Sequence, residues 1–439
     1  MSRSRIALLL TLIAALAAPS VALAAPPWSA PAAIPGALGS PAPVVVTPSG
    51  SAATLVATGR TALGSATTTP SALVPLSATG QPGTPQPVTV AAAQLATYAK
   101  GRIAVAGSTL HDGTVDDQSH VAVALGTPAS LGSARGLTGS TGQRLFALAG
   151  NVRGDVAVLT GNANSVRTLY LRRAGSTVFR VALKFPISRS RARGATVALG
   201  PKGDALVVWE DNHVIFARHL GPTGNAGAAH RIGDGVQSDL QAAIDDEGRL
   251  EVAWKSQRVN EGESNATATI RFATAAPGHG FGSQRTIEAV NAGRAVGAPG
   301  VRMIPEGDGR TLLAWTGFDG SHFVVRAADV VDGHRGTAQT LSPSGVDAVL
   351  GDAAVGTDGA ATVAWRSGVL GADPAPGTNP TVFASLRGAG ASAFGTPEQV
   401  STNGENVAFA PFAAVDPVSG RSFVTYAPLS ARVEVSVRP

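Results

Sequence analysis

The chain contains no cysteine. A disulfide and a lipid-modified N-terminal cysteine are both excluded, so the fold must rest on burial of its core. Lysine is nearly absent as well: Lys100, Lys184, Lys202 and Lys255 are the only four. Arginine supplies the remaining cations, so a pI near 10.0 accompanies a net charge of only +5 over 439 residues. The one basic cluster, Lys184, Arg189, Arg191 and Arg193, has no interleaved aromatic residues on which bases could stack. Nucleic acid is therefore not an expected partner. Several catalytic signatures are missing: there is no Gly-x-Ser-x-Gly elbow, no His-Glu-x-x-His and no phosphate loop. Apolar residues at a 3.6-residue period are missing too, which argues against helical repeats.

The first residues, MSRSRIALLLTLIAALAAPSVALA, set Arg3 and Arg5 before an apolar run from Ile6 to about Ala18, with small residues at Ala22 and Ala24. They are expected to form a secretory signal, residues 1–24, cleaved after Ala24, which places the mature chain outside the cell. The run is short for a bilayer and meets Pro19, so no membrane span is expected once it is removed.

What the chain does have is a repeat. AAVGTDGAATVAWRS, from Ala353 to Ser367, sets Trp365 six residues after Gly359. The same spacing joins Gly203 to Trp209, Gly248 to Trp254, Gly309 to Trp315 and, with tyrosine in place of tryptophan, Gly420 to Tyr426. Four of the five tryptophans thus share one repeat position. Weaker copies lie around Gly50, Gly101 and Gly154. The glycine suits a tight hairpin that needs a positive φ, and short apolar runs such as ALVVW (205–209) suit strands buried on both faces. Third strands are legible at 213–220, 268–275, 322–329 and 381–388 as period-two patterns.

A period near fifty residues with four strands per unit predicts an all-β chain, a β-propeller of eight four-stranded blades, with seven as the alternative count. The N-terminal WSAPAAIP, beginning at Trp28, aligns with the fourth strand FGTPEQVS, beginning at Phe394, while the last repeat stops after its third strand. The N-terminal strand is therefore expected to complete the last blade and remove the open edge. One domain, 25–439, is expected, with blades at about 42–90, 91–140, 143–186, 194–235, 239–289, 298–343, 350–401, and 408–439 completed by 27–36.

On these motifs the chain resembles the secreted bacterial β-propellers, broadly the WD40-like and sialidase-like repeat families; its Ala-, Gly- and Arg-rich, Lys-poor composition looks actinobacterial. It departs from both families. The tryptophan does not end a Trp-Asp dipeptide, and the Ser-x-Asp-x-Gly-x-x-Trp box is not met, so sialidase activity does not carry over.

Candidate ligand-binding residues come from the long connections between second and third strands, which a propeller gathers on one face. They are His111, Asp112, Asp116, Asp117 and His120 in blade 2, Glu261 and Glu263 in blade 5, Asp319 and His322 in blade 6, and Asp373 in blade 7. None has strict metal-ligand spacing, and neither a metal nor a cofactor is expected. The turn acids Asp245, Asp246, Glu247, Glu306, Asp308, Asp358 and Asp416 are read as backbone hydrogen-bonders. The tryptophan series is read as packing between blades. The function these features suggest is a secreted, monomeric, non-enzymatic binding module for an extracellular protein or glycan. The alternatives are a propeller glycoside hydrolase or lyase, with acids meeting at the axis, and a structural protein of the cell envelope.

Overall fold

The computed structural model describes residues 27–37, 43–58, 71–110, 117–162, 166–187, 194–235, 239–258, 267–291, 300–368, 380–402, 407, 409–428 and 432–439. They contain strands and no helix, arranged as eight antiparallel sheets. In blade 4 the strands Ala195–Leu199, Ala205–Asp211, Val214–Leu220 and His230–Asp234 pair in sequence order. The other blades follow suit, with the outermost strand split in blades 2 and 6. Each blade's first strand touches the first strands of the blades on either side, and Val44–Val46 of blade 1 touches Phe412–Val415 of blade 8. The first strands therefore ring the axis of an eight-bladed β-propeller.

The turn after each first strand is set by local chemistry. All eight marker glycines have positive φ, from 66° at Gly309 to 103° at Gly154. In blade 8, Gly420 donates to the Asp416 carbonyl at 2.9 Å while Asp416 donates to that of Arg421 at 2.7 Å. A hairpin so closed needs a left-handed residue before the second strand, and glycine takes it without the strain a Cβ brings.

Ring closure matches the N-terminal alignment residue for residue. Ala32 and Ala33 pair with Val435 and Glu434 of the last strand, as Glu398 and Gln399 pair with Ala384 and Phe383 in blade 7. Flanking bonds repeat too: Ser29 donates to the Val437 carbonyl and Ile34 to that of Val433, both at 2.8 Å, in the places of Gly395 to Leu386 and Val400 to Val382.

The core lies between blades rather than within them. Second strands are buried along most of their length, and each tryptophan of the repeat packs on the blade before its own: Trp254 on Leu206 and Val208, Trp315 among Ala243 and Ala253, Trp365 among Leu312 and Ala314. Trp254, Trp315, Trp365 and Tyr426 are fully buried. Trp209 stacks on Phe216 at 5.6 Å, and Trp28 is half-buried against blades 7 and 8.

Two interfaces break this apolar rule. The residue three after each turn glycine faces the residue two after the next blade's glycine, and at six interfaces both are apolar, as with Leu206 and Leu250 or Leu312 and Ala361. Between blades 7 and 8 the pair is Thr362 and Ser422, hydroxyl to hydroxyl at 2.5 Å. Between blades 5 and 6 it is Glu251, fully buried, accepting from Thr311 at 2.5 Å with its Oε1 unpartnered. Burial pushes the Glu251 carboxyl up from 4.5 to about 7, against the Thr311 hydrogen bond, with Asp245 adding to the rise and Arg249 opposing it. The folded protein thus holds this proton to about pH 7, whereas the unfolded chain releases it near 4.5. Stability falls as pH rises through that window, by on the order of 3 kcal/mol, and the loss is complete above it. Glu251→Gln should match the parent in urea unfolding at pH 4 and exceed it at pH 8 by about 2–3 kcal/mol. A difference that does not change with pH would sink this account.

Candidate functional site

Of the loop residues singled out from the sequence, His111, Asp112, Asp116, Glu261, Glu263 and Asp373 lie outside the described residues. The remaining four do not meet. Asp117 and His120 belong to blade 2 and Asp319 and His322 to blade 6, on opposite sides of the ring. The His120 ring hydrogen-bonds Thr109 at 3.2 Å and packs so tightly on Gly136 that a Cβ there would lie 2.6 Å from it. Asp319 accepts from the amides of Ser321 and His322 at 2.8 and 2.7 Å, which holds its carboxyl below the usual range and shapes the turn. No group of three or more metal-ligating side chains occurs among the described residues. The turn acids behave mostly as backbone partners: Asp245 takes the amides of Gly248 and Arg249, and Asp246 those of Asp308 and Gly309 in the next blade. Glu306 does not; it is buried against Arg387.

Acids do converge on the innermost strands. Arg302 in blade 6 bridges Asp239 of blade 5 at 3.3 Å and Asp352 of blade 7 at 2.9 Å. Asp239 also takes the Val301 amide, and Asp352 that of Ala413 in blade 8, both at 3.2 Å. Burial pushes the Asp352 carboxyl up against the pull of Arg302. The cluster ties four blades together, and both carboxylates are engaged by the guanidinium between them.

A cleft of about 770 Å³ opens between blades 2 and 3, at the end of the blades that carries the glycine turns. Blade 2 lines it with Tyr98, Ala99 and Arg102, with Val123 and Leu125, and with residues between Gly132 and Thr138 that include Arg135; blade 3 contributes Arg153, Gly154, Arg172 and the segment from Gly175 to Phe179. The first and second strands place Tyr98 and Arg102 on either side of the Gly101 turn. Arg102 and Arg172 lie over the buried Tyr98 ring at 6.0 and 5.2 Å. Arg172 donates to the Gly154 carbonyl at 2.9 Å, yet its Nε is buried without a partner. Of the four lining arginines, Arg102, Arg135, Arg153 and Arg172, Arg153 alone is near a carboxylate among the described residues, Asp155 at 4.0 Å. Among the described residues, the guanidinium groups of the exposed Arg102 and Arg135 meet no carboxylate. Among the described residues, the lining holds no Asp, Glu, His or Lys.

The corresponding cleft between blades 7 and 8, of about 450 Å³, shows what neutralisation looks like in this fold. There Arg438 makes two bonds to Glu398, at 2.6 and 2.7 Å, and Arg387 binds Glu306 and Asp329. The position in the fold is the same, but there the guanidinium groups are paired with carboxylates.

The blade 2 and 3 cleft was hidden because its arginines are up to 70 residues apart, Arg102 to Arg172. A signal did exist: no Asp or Glu precedes Asp112, and the acids from Ala91 to Arg180 are Asp112, Asp116, Asp117 and Asp155 alone. Asp117 sits at the other end of blade 2, and Asp155 is buried in its turn, with its carboxylate bonded to Asn151 and to the Ala174 amide.

No protein-family model matches the chain, and no characterised protein matches it by sequence. Among solved structures it is similar to the Dos1 propeller, with 9% identity, 93% of this chain and 94% of that one covered, and a TM-score of 0.50. It is also similar to a prolyl endopeptidase, at 14% identity, 76% and 46% coverage and a TM-score of 0.43, and to an α-L-arabinanase of Penicillium chrysogenum, at 15%, 66% and 91%, and 0.34. The chain spans about half the length of the prolyl endopeptidase. At these identities the likeness extends to the propeller fold alone.

Proposed function

We propose that the protein is a binding propeller of the cell exterior, which holds an extracellular partner, glycan or protein, in the cleft between blades 2 and 3 without transforming it. The observation that carries this reading is the lining. It offers guanidinium groups, hydroxyls and apolar walls, but among the described residues no carboxyl or imidazole that could pass a proton to a substrate. Such a surface recognises and orients; it lacks a general acid or base.

A second reading has one observation in its favour. Asp239 and Asp352 share Arg302 on the innermost strands, and a carboxyl pushed up beside a second carboxylate is the arrangement a glycoside hydrolase uses. The binding reading is preferred because both carboxylates are bound by Arg302 and by backbone amides, and so are braced rather than free. Incubating the chain from Ala25 to Pro439 with a polysaccharide panel, and scoring both retention and new reducing ends, separates the two. Retention without cleavage is expected. Cleavage abolished by Asp352→Asn would overturn the binding reading in favour of the hydrolase.

A further inference from the structure

We infer that the ligand of the cleft between blades 2 and 3 is an anionic glycan, one whose sugars carry carboxylate or sulfate groups; this rests on the binding reading above. Four guanidinium groups, from Arg102, Arg135, Arg153 and Arg172, line one cleft, and among the described residues only Arg153 has a carboxylate near it, at the 4.0 Å limit of an ion pair. The matched cleft between blades 7 and 8 shows that this fold neutralises such arginines where it does not keep them free: Glu398 there takes two bonds from Arg438. Guanidinium forks bind carboxylate and sulfate oxygens in pairs, with short, charge-assisted hydrogen bonds. The arginines are interleaved with the hydroxyls of Ser133, Thr138 and Thr177, which can each give and accept a hydrogen bond, as sugar hydroxyls require. Phe179 and the exposed Val178 add apolar wall for the faces of the sugar rings.

An acidic peptide fits less well. Peptides bound in extended form draw affinity from an open strand edge. The third strands beside this cleft, Val121–Thr127 and Val166–Arg172, are paired on both edges, so main-chain bonding to them is closed.

The test is calorimetric titration of the chain from Ala25 to Pro439 with oligogalacturonate, heparin oligosaccharide, neutral arabino-oligosaccharide and poly-L-glutamate. Binding of either anionic glycan, weakening with added salt, is expected, and which of the two binds tells carboxylate from sulfate. Arg102→Gln combined with Arg135→Gln should weaken it by about 100-fold, roughly tenfold for each charged hydrogen-bonding group lost. Among the described residues these two exposed side chains make no hydrogen bond to the protein, and Arg102 only lies over the Tyr98 ring at 6.0 Å, so the double variant should keep its thermal midpoint. Arg231→Gln, which removes one positive charge on blade 4 from an exposed pair with Asp234, should leave affinity unchanged, whereas Arg102→Gln alone should weaken it about tenfold. Neutral sugar binding that Phe179→Ala abolishes and the arginine changes spare would overturn the anionic assignment and leave the binding reading standing. Poly-L-glutamate binding as tight as the glycans, lost with the same arginines, would overturn the glycan assignment. Cleavage of a bound glycan would overturn the binding reading itself, and no binding by any of the four probes would overturn the anionic assignment.

Discussion

Replacing Arg387 with Met should destabilise the fold by about 3–5 kcal/mol, read as a fall in the urea midpoint. Arg387 ends the third strand of blade 7, Thr381–Arg387, and its side chain is 2% exposed. It binds Glu306 through one terminal nitrogen and Asp329 through the other, at 2.7 Å, both on blade 6. Arg310 completes the group, 2.5 Å from Asp329 and 3.7 Å from Glu306. Two cations and two anions are thus balanced at one blade interface. Removing Arg387 leaves the Glu306 carboxylate, 4% exposed, facing only the more distant Arg310. A buried charge without its partner costs several kcal/mol, more than the pair contributes over an apolar substitute. The double variant Arg387→Met with Glu306→Met should therefore be more stable than the single one. If the single change costs less than about 1 kcal/mol, the network is a surface pair in energetic terms and the argument fails.

Trp315→Ala should cost about 3–5 kcal/mol as well, through a different mechanism. The indole is fully buried between blades 5 and 6, among Ala243, Ala253, Val301 and Met303. Small residues on the facing blade leave the space that the indole fills, and β-strands locked in register cannot collapse into the cavity that alanine would leave. Its Nε1 also donates to Glu288 Oε2 at 2.7 Å; Glu288 keeps Arg326 at 2.7 Å and the Phe318 amide at 2.8 Å, so losing the indole does not strand that carboxylate. The cost is therefore mostly volume. Trp315→Phe should recover about half of it, and a urea midpoint unmoved by Trp315→Ala would show that the repeat tryptophan is not the interblade wedge described above.

The features legible from the sequence share one property, short range. A glycine and a tryptophan six apart constrain a single hairpin, and the eight positive φ values follow from the same local need at each turn. The closing strand at Ala32 and Ala33 was legible because it repeats the residue pattern of Glu398 and Gln399. Glu251 was half legible: its place three residues after Gly248 is apolar in most copies, yet only the contact with Thr311, sixty residues on, shows one oxygen buried without a partner.

The site was the least legible part. Loop length and polar content drew attention to Asp117, His120, Asp319 and His322, and the ring sets these pairs four blades apart, two of the side chains holding their own loops. The arginine cleft depends on which charges end up beside which across an interface. The repeat, the hairpins and the way the ring closes can be read from the residues alone, because hydrogen bonding and apolar alternation act between near neighbours. That Arg438 meets Glu398 while, among the described residues, Arg102 and Arg135 meet no acid is a matter of packing, because neutralisation is settled by distances of a few ångströms between residues far apart along the chain.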